Sequence, residues 1–362
     1  MDPTMPPVSR SERGNVPSIS WFADIGLADR PRVGGKGASL GELQRAGIAV
    51  PPGFVVGTAA FEDFIATLER ESAIRTAVEG LQPDDLAAIA ACSKMLRARI
   101  ERSPLPSGLA AEIASAHGTL TGGEPATAVA VRSSATTEDA SDASFAGLQD
   151  TYLWVRTPAD VLEKVRSCWA SLYSVESISY RRKRGMPERD VAMAVVVQVM
   201  VDARTAGVMF TRSPVTGDRS VVTLEGAWGL GSAVVSGEVT PDRWVIAKVT
   251  GEISVRDISD KAIQHAPDSA GGVAVHPVSE ELRRTACVSD EELQALRAVA
   301  RAIERHYGCA QDIEWAIDRL SGEIRILQAR PETVWSAKEA APAARASDNP
   351  LAHVMSIFGG RR

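Results

Sequence analysis

Cysteine is scarce in this chain: four occur in 362 residues (Cys92, Cys168, Cys287, Cys309), with no C-x-x-C pair and no tight Cys/His spacing. That argues against a disulfide framework and a structural zinc site, and makes a reducing cytoplasm the expected compartment. Long apolar runs are missing too. The longest, Val191–Val197, is the size of a strand and far short of the ~20 residues of a membrane span. Residues 1–17 are polar and proline-containing, without the apolar core of a secretory leader. Nor is there an excess of positive charge. A formal net charge of −6 and a pI near 5.6 argue against nucleic acid or an anionic membrane as partner. Any polyanion site must be a local basic cluster in an acidic protein. What is present, 44% hydrophobic and 24% charged residues, is the composition of a soluble globular protein long enough for two or three domains.

The most informative stretch lies late in the chain. Asp312-Ile313-Glu314-Trp315-Ala316-Ile317 and Ile326-Leu327-Gln328-Ala329-Arg330-Pro331 both alternate polar and apolar residues, the period of a half-buried strand. Ser321-Gly322 between them supplies turn chemistry. A turn symmetric about Ser321 sets Glu314 opposite Gln328 and Asp312 opposite Arg330 on one face. Ile313, Trp315, Ile317, Leu327 and Ala329 then share the other. Opposed side chains lie ~4.5–5.5 Å apart, so the polar face gathers an acid, an amide and a guanidinium. Those oxygens suit magnesium and the Arg suits phosphate. A plain amphipathic hairpin with a solvated face accounts for the pattern equally well.

Upstream, periodicity predicts helices over Thr58–Glu79, Leu86–Ile100, Gly108–His117, Thr157–Tyr180 and Glu280–Tyr307, with Pro158 at a favoured first-turn position. Strands are expected at Ala128–Val131, Val191–Val201, Thr205–Phe210 and Val221–Leu224. Four further segments could carry chemistry. Gly34-Gly35-Lys36-Gly37 opens a helix, where backbone N–H groups and a Lys could meet phosphate, although it is not a G-x-x-x-x-G-K-[ST] loop. Arg132-Ser133-Ser134 is read as leaving a strand into a hydroxyl-rich loop that continues through Ser144–Thr151, long enough to be a lid. Gln198 is a lone amide in an apolar strand and must find a partner, nucleotide or backbone. Gly226–Ser232 carries three glycines and suggests a close backbone approach. Each of these has a purely structural alternative.

Their joint occurrence in this order resembles the N-terminal ATP-binding (PEP/pyruvate-binding) part of the phosphoenolpyruvate synthase / pyruvate phosphate dikinase family, over about residues 20–335. The carrying segments are Gly34–Leu40 with Gly47–Phe54, Val131–Asp139 with Ser144–Leu153, and Gly207–Thr211 with Pro214–Gly217. They continue through Trp228–Gly231 with Val234–Gly237, and Asp312–Ala316 with Gln328–Thr333. The resemblance implies an α/β ATP-grasp fold whose two lobes hold the nucleotide in the cleft between them. These would be residues 18–205 and 206–335, flanked by a disordered tail (1–17) and an Ala/Pro-rich linker and tail (336–362). It implies ATP and Mg²⁺ as cofactors, with Lys36, Arg132 and Arg330 on phosphate. Gly147 and Thr151 would lie in the lid, Gln198 on the nucleotide, and Glu314 and Gln328 on the metal. The implied activity is that of a dikinase-like phosphotransferase passing a phosphoryl group to a histidine on a swivelling domain.

The departures from the family pattern are specific. The phosphohistidine turn is absent: Thr121-Gly122-Gly123 begins like it, but Thr127 fills the histidine position. Ser232 stands where many relatives have Glu after Gly-Leu-Gly, and Leu148 where a Gln is usual. The expected partner is therefore a separate phosphohistidine-domain protein, with or without a PEP/pyruvate-type barrel. The arrangement is similar to the split phenylphosphate synthase, to a split phosphoenolpyruvate synthase, or to part of a rifampicin phosphotransferase-like enzyme. A non-catalytic nucleotide sensor and a stand-alone small-molecule kinase are the rival classes.

Overall fold

The computed structural model describes residues 17–136, 150–268, 271–333 and 335. Strands β1 (Ile19–Trp21), β2 (Gly53–Val56), β3 (Val129–Ala135), β4 (Thr151–Val155) and β5 (Met193–Val199) form an antiparallel sheet in the order β1-β2-β5-β3-β4. A second antiparallel sheet is built from β6 (Ala203–Phe210), β7 (Val221–Trp228), β8 (Asp242–Ala247) and β9 (Ile253–Asp257), with β12 (Gln311–Asp318) and β13 (Ile324–Pro331). Its order is β13-β12-β6-β7-β8-β9. β10 (Ile263–Pro267) and β11 (Val273–Pro277) make a separate hairpin. The chain changes sheet between Val199 and Ala203.

The helices are α1 (Arg30–Arg45), α2 (Thr58–Glu69), α3 (Arg75–Glu79), α4 (Leu86–Arg102), α5 (Ser107–Thr121), α6 (Pro158–Ser171), α7 (Val175–Arg184), α8 (Ser232–Val235), α9 (Glu280–Arg283) and α10 (Asp290–Tyr307). One face of the first sheet is buried under helices around Trp169, which meets Phe61 and Phe64 at ring-centroid distances of 5.9 and 5.2 Å. Aromatic pairs in this range add about 0.5–1.5 kcal/mol beyond area burial. The other face belongs to a core shared by both sheets. Val33, Leu40 and Leu43 of α1 pack there with Val55 and Val196 of the first sheet and with Ile313, Trp315 and Ala329 of the second. α1 is thus the hydrophobic link between the sheets. α10 closes the same core with Leu293, Leu296, Ala300 and Ile303, its start fixed by a Ser289/Glu292 capping box.

Several expected elements divide. Thr157–Tyr180 is two helices, because the Ser174 hydroxyl caps a new start at Ser177 N–H and buried Arg181 reaches back to the Leu172 carbonyl (2.6 Å). Thr58–Glu79 breaks after Glu69, whose carboxylate accepts from the Arg75 backbone. Glu280–Tyr307 breaks before the Ser289 cap. Arg132, Ser133 and Ser134 are not in a loop; they lie within β3, their polarity tolerated because Ser133 donates to Asp150 O and Ser134 to Val33 O. The strand expected at Val221–Leu224 continues to Trp228, and β8–β11 carried no expectation. The tails and the lid segment Thr137–Gln149, with Gly147 and Leu148, lie outside the described residues.

Candidate functional site

A cavity of about 320 Å³ opens where the two sheets meet. Arg132 and Thr151 from the first sheet line it, with Val199, Met200 and Val201 at the crossing between sheets, and Glu314, Ala316 and Leu327 from the closing hairpin. Most of the wall is apolar (Leu153, Val201, Ala203, Ala206, Leu230), and the charge gathers where Arg132 faces Glu314. A mostly apolar cavity with a few convergent polar groups is the usual form of a small-molecule site.

The junction is one guanidinium. Arg132, 8% exposed, donates to Gln328 Oε1 (2.6 Å), Glu314 Oε2 (3.1 Å) and the Leu327 carbonyl (2.9 Å). The third bond depends on a departure from the expected hairpin. Asp312↔Arg330 and Glu314↔Gln328 pair as the symmetric turn requires, but the register then shifts so that Trp315 faces Ile326. Leu327 is the extra residue of a β-bulge. Its carbonyl is released to Arg132, and its side chain joins Ala316 and Leu230 at the cavity instead of Ile313 and Trp315 in the core.

α1 approaches the same point from behind. Gly34 interrupts the helical run with φ 72° and ψ 176°, and a Cβ there would lie 2.1 Å from the Ser134 carbonyl oxygen. Only glycine lets the helix start this close to β3. Ser134 Oγ in turn accepts from Gly37 N–H (3.2 Å). Lys36, buried in this turn, does not line the cavity; it lies near the Cys168 thiol. Burial pushes that thiol up, Asp150 adds to the shift, and Lys36 opposes it. Ser39 on the same helix donates to the Ala329 carbonyl (2.6 Å), which ties α1 to the strand bearing Gln328 and Arg330.

The remaining expected residues fall as follows. Arg330 sits one pair beyond Gln328 on the same face, its Nε 3.4 Å from Asp312 Oδ2 and its side chain 42% exposed. Gln198 is buried and donates to the Pro51 carbonyl (3.4 Å), one residue before the cavity wall begins at Val199. Thr151 lines the cavity. Leu230 and Ser232, from the glycine-rich Gly226–Ser232 segment, are wall residues, whereas Val199–Val201 and Ser236 are wall residues that sequence reasoning did not assign to a site; in single-strand periodicity they look like ordinary apolar or turn positions.

The family model described as pyruvate phosphate dikinase, AMP/ATP-binding domain, matches residues 30–349 of this chain. The chain belongs to this family. It is similar to the phosphoenolpyruvate synthase of Aeropyrum pernix, 42% identical over 356 residues, covering 89% of this chain and 43% of that protein. It is also similar to a probable phosphoenolpyruvate synthase of Methanothermobacter thermautotrophicus (41% over 320 residues; 88% and 46%). The phosphoenolpyruvate synthase of Pyrococcus furiosus is 37% identical over 377 residues, covering 93% and 46%. The chain thus spans less than half the length of these curated relatives. A solved D-alanyl-alanine synthetase A from Vibrio cholerae overlaps 67% of this chain and 54% of its own at 10% identity and a TM-score of 0.24, too slight a likeness to carry an argument. The two-sheet cleft, with residues of both sheets around one cavity, is how this member builds the AMP/ATP-binding domain. Among the described residues no helix is long and apolar enough to cross a membrane.

Proposed function

We propose that this chain binds Mg-ATP in the cleft and passes a phosphoryl group to a histidine on a separate partner protein, as the nucleotide-binding part of a phosphoenolpyruvate synthase-like dikinase. The observation that carries this reading is the Arg132 junction. One guanidinium from the first sheet is held against an acid and an amide from the second, at the charged end of an apolar cavity inside an AMP/ATP-binding domain. In this reading the apolar wall takes the base. Arg132 neutralises phosphate oxygens beside Thr151, Lys36 and Arg330 meet phosphate only where it extends beyond the cavity lining, and Gln198 supports the nucleotide end.

Glu314 and Gln328 suit a magnesium ion. Both present hard oxygen donors, and a cation, the Arg132 guanidinium, already rests against both. Among the described residues no group of three or more His, Cys, Asp or Glu is poised for a metal. That pattern fits an ion bound through one or two protein oxygens, with phosphate and water as its other ligands. An ion held by Glu314 and Gln328 would supply charge neutralisation to phosphate oxygens. The chain's own work is positioning: Arg132 couples the sheets, and the bulged hairpin aims Glu314 and Gln328 at the same point.

Among the described residues no histidine lines this cavity. His117 is buried on α5, His265 is held between Ser232 and Glu238, and His306 bonds Glu42. That supports an acceptor from outside. In the transfer, the bond from phosphorus to the nucleotide oxygen breaks as a P–N bond forms on the incoming imidazole. The imidazole is itself nucleophilic, so no base from this chain is required. The partner class is a phosphohistidine-domain protein, with or without a PEP/pyruvate-type barrel. Incubation with γ- and β-labelled ATP, with and without such a partner, tests this. Acid-labile label on the partner's histidine is expected; label on a small molecule with no partner present overturns it.

A further inference from the structure

The Ser232 departure is occupied by a closed polar chain. Ser232 Oγ lies 2.8 Å from His265 Nδ1, His265 Nε2 lies 3.4 Å from Glu238 Oε2, and Ser236 Oγ donates to Glu238 Oε1 at 2.8 Å. Helix α8, the turn after it and β10 converge here, and their approach is enforced by the backbone. Gly229, at φ 76°, comes so near β10 that a Cβ would sit 2.4 Å from the His265 carbonyl oxygen. Leu230 N–H donates to that same carbonyl at 2.9 Å. A side chain at 229 would push β10 outward and carry the buried imidazole (9% exposed) with it.

Hydrogen bonds from Ser236 and then His265 hold the Glu238 carboxyl below the usual range, so it is an ionised acceptor at neutral pH. In the tautomer with its proton on Nε2, His265 donates to Glu238 Oε2 and accepts at Nδ1 from the Ser232 hydroxyl. The Ser236 proton is committed to Glu238. Ser232 and Ser236, one helical turn apart, both line the cavity. With both hydroxyl protons engaged in the chain, the two oxygens are left as acceptors beside the cavity. Elsewhere the wall is apolar, suited to a base, or carries Arg132, Thr151 and Glu314, suited to phosphate and metal. A pair of adjacent acceptors matches a pair of adjacent neutral donors, and the part of a nucleotide with that chemistry is the ribose 2′,3′-diol.

We propose that Ser232 and Ser236 read the ribose diol of the bound nucleotide, with His265 and Glu238 as positioning residues that hold both serines as acceptors. This rests on the cavity being the nucleotide site. The test is calorimetric titration of the whole chain with ATP, 2′-deoxy-ATP and 3′-deoxy-ATP, each with magnesium, alongside melting temperatures of each variant without ligand. Wild type should bind ATP about three- to tenfold more tightly than at least one deoxy analogue, the worth of one hydrogen bond. Ser232→Ala should lower ATP affinity to the level of that analogue and erase the discrimination. Ser232→Thr, which keeps the hydroxyl, should restore it. His265→Gln should reduce the ratio of ATP to deoxy-ATP affinity, a readout that mere loosening of β10 would not move. Equal wild-type affinity for all three nucleotides overturns the ribose assignment, as does an equal loss for all three in Ser232→Ala. Failure of wild type to bind any of them overturns the nucleotide reading of the cavity instead.

Discussion

Arg132→Met removes a guanidinium that both joins the two sheets and faces the cavity, while keeping much of the side-chain volume. The substitution deletes hydrogen bonds of 2.9, 2.6 and 3.1 Å to the Leu327 carbonyl, Gln328 and Glu314. Breaking a fully buried charge pair costs about 3–5 kcal/mol, but the Glu314 side chain is 33% exposed and water can take back its carboxylate. That figure is therefore an upper bound. The Leu327 and Gln328 oxygens are the groups left stranded, at about 1–1.5 kcal/mol each, so the expected loss is about 2–3 kcal/mol. At roughly 1–2 °C per kcal/mol for a chain of this size, the melting temperature should fall by about 2–6 °C. Mg-ATP at a hundred times its Kd adds about 2.7 kcal/mol to wild type, a rise of roughly 3–5 °C, and the variant should lose most of it. Arg132→Lys, with one ammonium in place of a planar fork, should fall between the two. Thermal melts of the three proteins with and without Mg-ATP decide the matter. If Arg132→Met melts within about 1 °C of wild type and keeps the full nucleotide gain, the guanidinium neither ties the sheets nor meets phosphate, and the reasoning fails.

Gly34→Ala should destabilise the apo protein by at least about 2 kcal/mol, since that backbone region costs a non-glycine residue about 1–3 kcal/mol and the new Cβ overlaps Ser134 O. It should also weaken Mg-ATP binding by shifting Lys36; a variant with wild-type stability and affinity would refute the tight approach of α1 to β3. Asp318 accepts from the backbone of Ser321 and Leu320 and from the Ser321 hydroxyl, contacts that hold its carboxyl below its ordinary value of 3.8. A depressed folded-state value means the contribution is complete above that ordinary value and fades as pH falls through the folded one. Asp318→Asn should therefore be less stable than wild type by on the order of 1 kcal/mol near neutral pH. The gap should close only below pH 3.8, and a gap independent of pH, followed by chemical denaturation, would contradict the assignment.

Much of the cleft was legible because the side-chain period of a strand is two, and that period ties chemistry to a face. Alternation alone set Asp312, Glu314, Gln328 and Arg330 on one side of a hairpin, and their pairing in the structure follows it. Alternation is silent about what interrupts it. Leu327 looks like one more core residue in the repeat, yet the bulge turns it to the cavity and leaves its carbonyl for an arginine 195 residues away in the sequence. Arg132 itself was read as the residue where the strand gives way to a hydroxyl-rich loop, but the strand runs through it to Ala135. Its partners lie in the other sheet, and a local reading cannot see that they satisfy it. The helix breaks at Leu172–Ser174 and before Ser289 share this origin: side-chain caps restart a helix where apolar spacing alone would run through. The cavity wall at Val199–Val201 exists only once the second sheet is folded back on the first, and the Ser232–His265–Glu238 chain only once β10 packs beside α8. What periodicity supplies is a face. What makes that face a site is a set of long-range bonds placed at its irregularities, and these have no local signature in the chain.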